Sequence, residues 1–237
     1  MSIQIRIDTE WLFNFVDGSE CQYFIFHQDT MSIVTMYRDS AMVKKKWTAN
    51  IGPSRQYTGT YAWEVSAKLF SLVYTHYMDY KQVDLVLYVE KNAIDFHFIS
   101  PNHRLIFGET DIHIDSTSTW EIDAPESFAS VDVPVDMLLS IPDTLEKLTL
   151  ELFHGNDYWS GGDKPPWSRK NVRCGMVKGE GKTTVHVTLL KQVLGGLLAH
   201  ETEYVTLNIL EPGLLTVEYE CPDTGMIYGF IAPVIDT

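Results

Sequence analysis

Apolar and polar side chains alternate along much of this chain. The pattern is clearest at Ile3-Ile5-Ile7, Tyr23-Ile25, Val83-Leu85-Leu87, Ile94-Phe96-Phe98, Val185-Val187, Val205-Leu207-Ile209 and Leu215-Val217-Tyr219. A period of two sends successive side chains to opposite faces of a strand. Each segment therefore predicts an antiparallel strand with one face on a core and one face free. Helical spacing predicts four short helices. The first covers Asp8–Asp17, with Asp8 as N-cap and Trp11, Leu12, Phe15 and Val16 on one stripe. The second covers Ala62–Met78, with Val65, Leu69, Leu72 and Val73. The third covers Pro134–Leu145, with Met137, Leu138 and Ile141, and Pro142 must bend or shorten it. The fourth covers Thr188–His200, with Leu190, Val193, Leu194 and Leu197, weakened by Gly195 and Gly196.

The pattern occurs twice. Val205 follows Val83 by 122 positions, Val217 follows Phe96 by 121, and Pro222 follows Pro101 by 121. Ile5-Arg-Ile-Asp before the first helix matches Val131-Asp-Val-Pro before the third. Each copy reads strand, helix, strands, helix, strands. Between them, Glu109–Glu126 is acidic, rich in Ser and Thr, and reads as an extended exposed connector. The predicted domains are 1–108 and 127–237, joined by the connector 109–126.

Composition narrows the class. The 237 residues are 45% hydrophobic and 21% charged, which supports a real core rather than a disordered chain. No apolar run approaches the ~18 residues of a membrane span. The first residues read as a strand rather than a signal peptide. Cys21, Cys174 and Cys221 are odd in number and lack metal-ligand spacing, so they read as reduced thiols of an intracellular protein. The formal net charge of −14 argues against a simple nucleic-acid binder, which is usually basic.

Few segments carry chemistry. Gly179-Glu-Gly-Lys182-Thr183-Thr184 resembles a phosphate loop, but Met176 stands where a glycine is needed and Val185-His186-Val187 continues as a strand. A hairpin turn is the better reading. The eight histidines show no helical ligand spacing, and no serine or cysteine sits in a nucleophile context, so no metal, cofactor or active site is expected. Lys44-Lys45-Lys46 and Arg169-Lys170…Arg173 are the basic clusters, read either as solvated surface or as phosphate contacts. His154–Ser168, with Gly161-Gly162 and Pro165-Pro166-Trp167, reads as a long irregular loop. Its Trp159 and Trp167 either pack locally or meet a partner.

The C-terminal run Met226-Ile-Tyr-Gly-Phe230-Ile231-Ala232-Pro233-Val-Ile-Asp236 resembles the ending of the proliferating-cell nuclear antigen family of DNA sliding clamps. Val205-Thr-Leu and Val217-Glu-Tyr resemble that family's last strands, and Pro125-Glu126 matches a Pro-Glu of its connector. The likeness covers about fifty residues well and extends weakly over the whole chain. It implies an α+β fold of duplicated β-α-β-β-β-α-β-β-β clamp domains, with antiparallel sheets outside and four short helices inside. It implies a non-enzymatic processivity factor that encircles duplex DNA as a homotrimer and tethers a DNA polymerase and other peptide-motif partners, placed on DNA by a clamp loader. A shorter and more divergent chain than cellular members reads as viral or phage. It would sit in the host cytoplasm or nucleus if viral, and in the cytoplasm if phage or archaeal.

Residue by residue, the resemblance places the partner-peptide pocket at Met36, Ser40, Ala41, Ile122, Ala124, Leu214, Phe230, Ile231, Ala232 and Pro233. It places the subunit contacts on two edge strands. One is His103–Asp111, with His103, Leu105 and Phe107; the other is Lys170–Val177, with Val172, Cys174 and Met176. Lys68, Lys81, Lys147 and Lys191 are the candidate DNA-facing bases. The chain departs from the family on its inner helices, where Ser71, Tyr74 and Gly195 stand at or near usual lysine positions. Rival readings are a subunit of a heteromeric or checkpoint-type clamp, a viral transcription factor on the clamp fold, and a nucleotide-binding enzyme acting through Gly179–Thr184.

Overall fold

The computed structural model describes residues 2–9, 21–26, 31–37, 41–47, 60–64, 80–110, 112–115, 126–162, 166–198, 202–221 and 225–234. The first copy holds β1 (Ser2–Asp8), β2 (Cys21–Phe26), β3 (Met31–Tyr37), β4 (Ala41–Trp47), β5 (Tyr61–Glu64), β6 (Gln82–Tyr88), β7 (Ala93–Ile99) and β8 (Arg104–Glu109). The two-residue β9 (Ile114–Asp115) follows. The second copy holds β10 (Ala129–Pro134), the helix α1 (Val135–Leu139), β11 (Lys147–Phe153), β12 (Asn156–Gly161) and β13 (Trp167–Lys170). It continues with β14 (Lys178–Gly179), β15 (Gly181–His186), the helix α2 (Val187–Leu198), β16 (Tyr204–Leu210), β17 (Leu214–Cys221) and β18 (Gly225–Ile231).

The chain divides into two compact units. Unit 1 comprises Met1–Thr35, Lys45–Ile122 and Asp223–Gly225; unit 2 comprises Met36–Lys44, Asp123–Pro222 and Met226–Thr237. The duplication reappears as strand order. The first copy runs β1-β6-β7-β8 and β4-β3-β2-β5; the second runs β10-β16-β17-β18 and β13-β12-β11-β15. Strand for strand these orders are the same. The repeat read from the sequence is therefore a repeat of topology.

Period-two alternation is what builds the strands. In unit 1, Ile3, Ile5 and Ile7 on β1 pair in register with Leu87, Leu85 and Val83 on β6, and all six are buried. Trp63 on β5 is fully buried, with its ring 5.4 Å from Phe24 and 5.9 Å from Phe96. Rings of this size bury on the order of 150–250 Å² each, worth roughly 4–6 kcal/mol of gross transfer free energy. β6 is buried on both faces, and Asp84, on the face opposite Val83, Leu85 and Leu87, is held by three bonds. Arg6 donates from Nε (2.7 Å) and Nη2 (2.9 Å), and Gln4 from Nε2 (2.9 Å). Burial pushes the Asp84 carboxyl up, but the hydrogen bonds and charge of Arg6, with Gln4, outweigh it and hold the group below the usual carboxylate range.

Several predicted elements change. Tyr61–Glu64 is a strand paired with β2, so the helix expected from Ala62 does not begin there; its remainder lies outside the described residues, as does most of Asp8–Asp17. Trp63 explains the strand: it fits a pleated surface facing an aromatic cluster. The third helix is only Val135–Leu139, because Ser140 closes it, its amide reaching Asp136 O at 3.0 Å and its Oγ reaching Met137 O at 2.7 Å. The fourth is Val187–Leu198.

Much of the predicted loop His154–Ser168 is sheet. β11 and β12 form a hairpin closed by His154 (φ 49°) and Gly155 (φ 74°), two left-handed residues of the kind a two-residue turn requires. Trp159 is core, 2% exposed. Gly179–Thr184 is not a hairpin turn either. β14 pairs with β10 while β15 pairs with β11, so the chain passes from one sheet to another at this point. Gly179 is obligatory there: φ is +68°, and a Cβ would lie 1.8 Å from the Phe128 carbonyl oxygen.

Candidate functional site: a tail shelf and two strand edges

The C-terminal residues lie along unit 2. Val234 N donates to Thr184 O at 2.7 Å, which lays Ala232–Val234 beside β15. Gly213 (φ +99°) turns the chain between β16 and β17 next to Pro233, whose Cβ would be 3.7 Å from a Cβ at position 213. The buried Thr183 hydroxyl donates to Gly213 O at 2.6 Å and fixes that turn against β15. Leu214, Ala232, Pro233 and Val234 are all half-buried, and Pro212 is exposed. Together they form an apolar shelf held by backbone hydrogen bonds, suited to short aliphatic or aromatic anchors.

The pocket predicted from sequence is partly redrawn. Phe230 is 4% exposed and Ile231 fully buried, so both support the shelf from within and cannot line it. The end of β18 is covered on both faces, so two consecutive residues are buried, and the half-buried Ala232–Val234 follow them. Met36 lies on β3 and Ala41 on β4; Ser40, Ile122 and Ala124 fall outside the described residues. Val234 and the Thr183–Gly213 bond are not singled out in the sequence. Pro212-Gly213 was the available signal for the turn.

β8 and β13 each end a sheet. On β8, Leu105 and Phe107 are half-buried, Phe107 packing edge-on to Phe98 at 6.1 Å, while Ile106 is 52% exposed and His103 precedes the strand in solvent. The second edge differs from expectation. It is Trp167–Lys170, and residues 171–177 are irregular. That stretch is drawn back onto the sheet by the fully buried Asp157. Its carboxylate accepts from Trp159 Nε1 (2.8 Å), Val172 N (2.9 Å) and Arg173 Nη1 (3.4 Å), and its carbonyl accepts from Asn171 N (3.0 Å). Cys174 N donates to Asp132 O at 2.9 Å. Val172 is consequently half-buried, while Cys174 and the 80%-exposed Met176 lie beyond the strand rather than on it. Burial and the neighbouring Asp132 carboxylate push the Cys174 thiol up.

The candidate DNA-facing lysines lie on different elements. Lys81 is exposed just before β6, Lys147 opens β11 on that strand's outer face, and Lys68 is outside the described residues. Lys191 on α2 is ion-paired with Asp143. Along α2, Thr188 and Gly195 are exposed and uncharged.

Among the described residues, two copies of one strand order make up the chain, with the two helices in the second copy. No family model matches the chain, and no curated protein matches it. Among solved structures, it matches the crystal structure of Proliferating Cellular Nuclear Antigen from Entamoeba histolytica with a TM-score of 0.71. The match covers 98% of each chain at 12% sequence identity. The fold is the duplicated α+β clamp fold of the proliferating-cell nuclear antigen type.

Proposed function

We propose that the protein is a non-enzymatic DNA sliding clamp that assembles head to tail into a homotrimeric ring. In this role it encircles duplex DNA, receives polymerase and other peptide-bearing factors on the tail shelf, and is placed on DNA by a loader. One observation carries the assembly. Ala41–Lys44 of β4 and Met226–Ile231 of β18 both belong to unit 2, and the two strands are neighbours in one sheet. By strand order, β18 of the second copy is the counterpart of β8, and β4 of the first copy is the counterpart of β13. The pair β8 and β13 is therefore the same junction left unmade in a single chain. A row of unpaired backbone groups on each supplies the hydrogen bonds for a neighbour, and a heterologous contact that closes makes a ring.

The neutral exposed positions of α2 and the engaged Lys191 favour a second form of this reading, a subunit of a heteromeric clamp. Co-purification of distinct sister chains supports that form. Clamping itself is tested on DNA topology. Loaded on a nicked circular plasmid, the protein stays bound through a high-salt wash and is lost once the plasmid is linearised. Equal loss from circle and line refutes encirclement.

A further inference from the structure

Two basic features of the sequence have no part in the reading above: Arg169-Lys170, and Lys182 after Gly179-Glu-Gly181. The sheet β13-β12-β11-β15 brings Lys170 and Lys182 to one face, while Arg169, in register with Trp159, falls on the other. Register pairs Lys170 with Tyr158, Tyr158 with Glu151, and Glu151 with Lys182, which makes one row across four strands. The adjacent row consists entirely of hydroxyls, Ser168, Ser160, Thr149 and Thr184. The next row adds Lys147 and His186. This is the face turned from the core, because the alternate residues Leu148, Leu150, Leu152, Trp159 and Val185 are buried. Lys170 Nζ stands 5.4 Å from the Tyr158 ring centre. Lys182, 64% exposed, is 3.8 Å from Glu151, and the Thr149 and Thr184 hydroxyls are 2.9 Å apart. At the end of β11, on the same face, Phe153 is 43% exposed and stacks on His154.

In a chain of net charge −14, this face sets Lys147, Lys170 and Lys182 against Glu151, with Glu180 at its border bonded to His154. Lysines and hydroxyls are the groups that contact phosphodiester oxygens. The exposed Phe153 ring and the half-buried Tyr158 ring offer stacking surfaces to bases that are not already stacked in a duplex. We infer that this sheet face binds a single-stranded nucleic acid, its backbone along the lysine and hydroxyl rows and its bases on Tyr158 and Phe153. An acidic peptide satisfies the lysines but leaves the hydroxyl row and the rings without a role. Local charge acts here although the whole chain is acidic. The inference goes beyond the clamp reading and does not depend on it.

The test is fluorescence anisotropy of a labelled 15-nucleotide single strand with the full chain over a range of salt. The wild type is expected to bind it more tightly than the matching duplex. Lys170→Gln/Lys182→Gln is expected to weaken binding about tenfold at low salt. Losing two phosphate contacts should lower the slope of log affinity against log salt by about 1.4. Tyr158→Ala should weaken binding at least about fivefold and leave that slope unchanged, because stacking carries no counterion release. Unchanged melting and unchanged solution mass of the variants separate this outcome from loss of fold or of assembly. The inference is overturned by any of four results: no binding by the wild type, equal or tighter duplex binding, variants indistinguishable from wild type, or capture of poly-glutamate in place of the oligonucleotide.

Discussion

Gly229 on β18 packs directly against Val193 of helix α2, and its replacement gives a quantitative test of that packing. A Cβ at Gly229 would lie 2.2 Å from Val193 Cγ1 and 3.6 Å from both Val193 Cβ and Val217 Cβ. Ordinary carbon contacts are about 3.5–4.0 Å, so the first overlap is roughly 1.5 Å. Val193 is fully buried, and a β-branched residue in a helix has essentially one χ1 state. The side chain has no easy escape, and α2 must shift. Gly229→Ala should therefore cost about 1–3 kcal/mol, the usual penalty of overpacking. Val193→Ala removes the offending methyl and costs roughly 2–3 kcal/mol through lost burial and a cavity. The two are not additive: with Val193 truncated, the new methyl fills space rather than colliding. Urea unfolding of the four proteins at one chain concentration should show the double variant more stable than the sum of the singles by about 1–3 kcal/mol. Additivity to within about 0.5 kcal/mol would falsify the proposed close approach of helix and sheet.

Three further outcomes follow from the same geometry. Asp157→Ala strands the Trp159 and Val172 N–H groups in a buried site and should cost about 2–5 kcal/mol, read as a lowered melting temperature; an unchanged melt means those bonds are not made. Asp84 is held below its ordinary range, so its contribution is fully present above the unfolded value of about 3.9 and is lost as pH falls through the folded value. Asp84→Asn should accordingly be less stable near neutrality and show a shallower loss of urea midpoint in acid, whereas a parallel acid limb excludes Asp84 as its source. Pro233→Ala with Leu214→Ala should weaken an aromatic-anchored partner peptide by about 1–2 kcal/mol and leave solution mass unchanged. Ile231→Ala, at a fully buried site, should instead lower stability by about 2–5 kcal/mol.

The strands and the duplication were legible because alternation and spacing are local signals. Ile3, Ile5 and Ile7 declare an inward face whatever they meet, and a 121-residue offset survives low identity. The elements that were misread depend on distant partners. Tyr61–Glu64 looks helical beside Val65, yet Trp63 is claimed by Phe24 and Phe96 from other strands. Gly161-Gly162 and Pro165-Pro166 make His154–Ser168 read as loop, and the donors of Trp159, Val172 and Arg173 explain how the Asp157 carboxylate is accommodated in the core. The tail stands out in the sequence as a segment, but its buried and half-buried residues are not separable there. Phe230 and Ile231 become core because β18 continues through them, a boundary that Phe-Ile-Ala-Pro does not announce. The edge at Lys170–Val177 shifted to Trp167–Lys170 for the same reason, since a buried carboxylate recaptures the chain after Lys170.

The assembly through β8 and β13 is tested most directly by the mass of the untagged protein in solution, measured by light scattering at micromolar chain concentration. The account predicts a single species of three times the 27.1 kDa chain mass, dissociating on dilution without unfolding. A strict 27.1 kDa monomer at those concentrations, alone and with the proteins that co-purify with it, contradicts it.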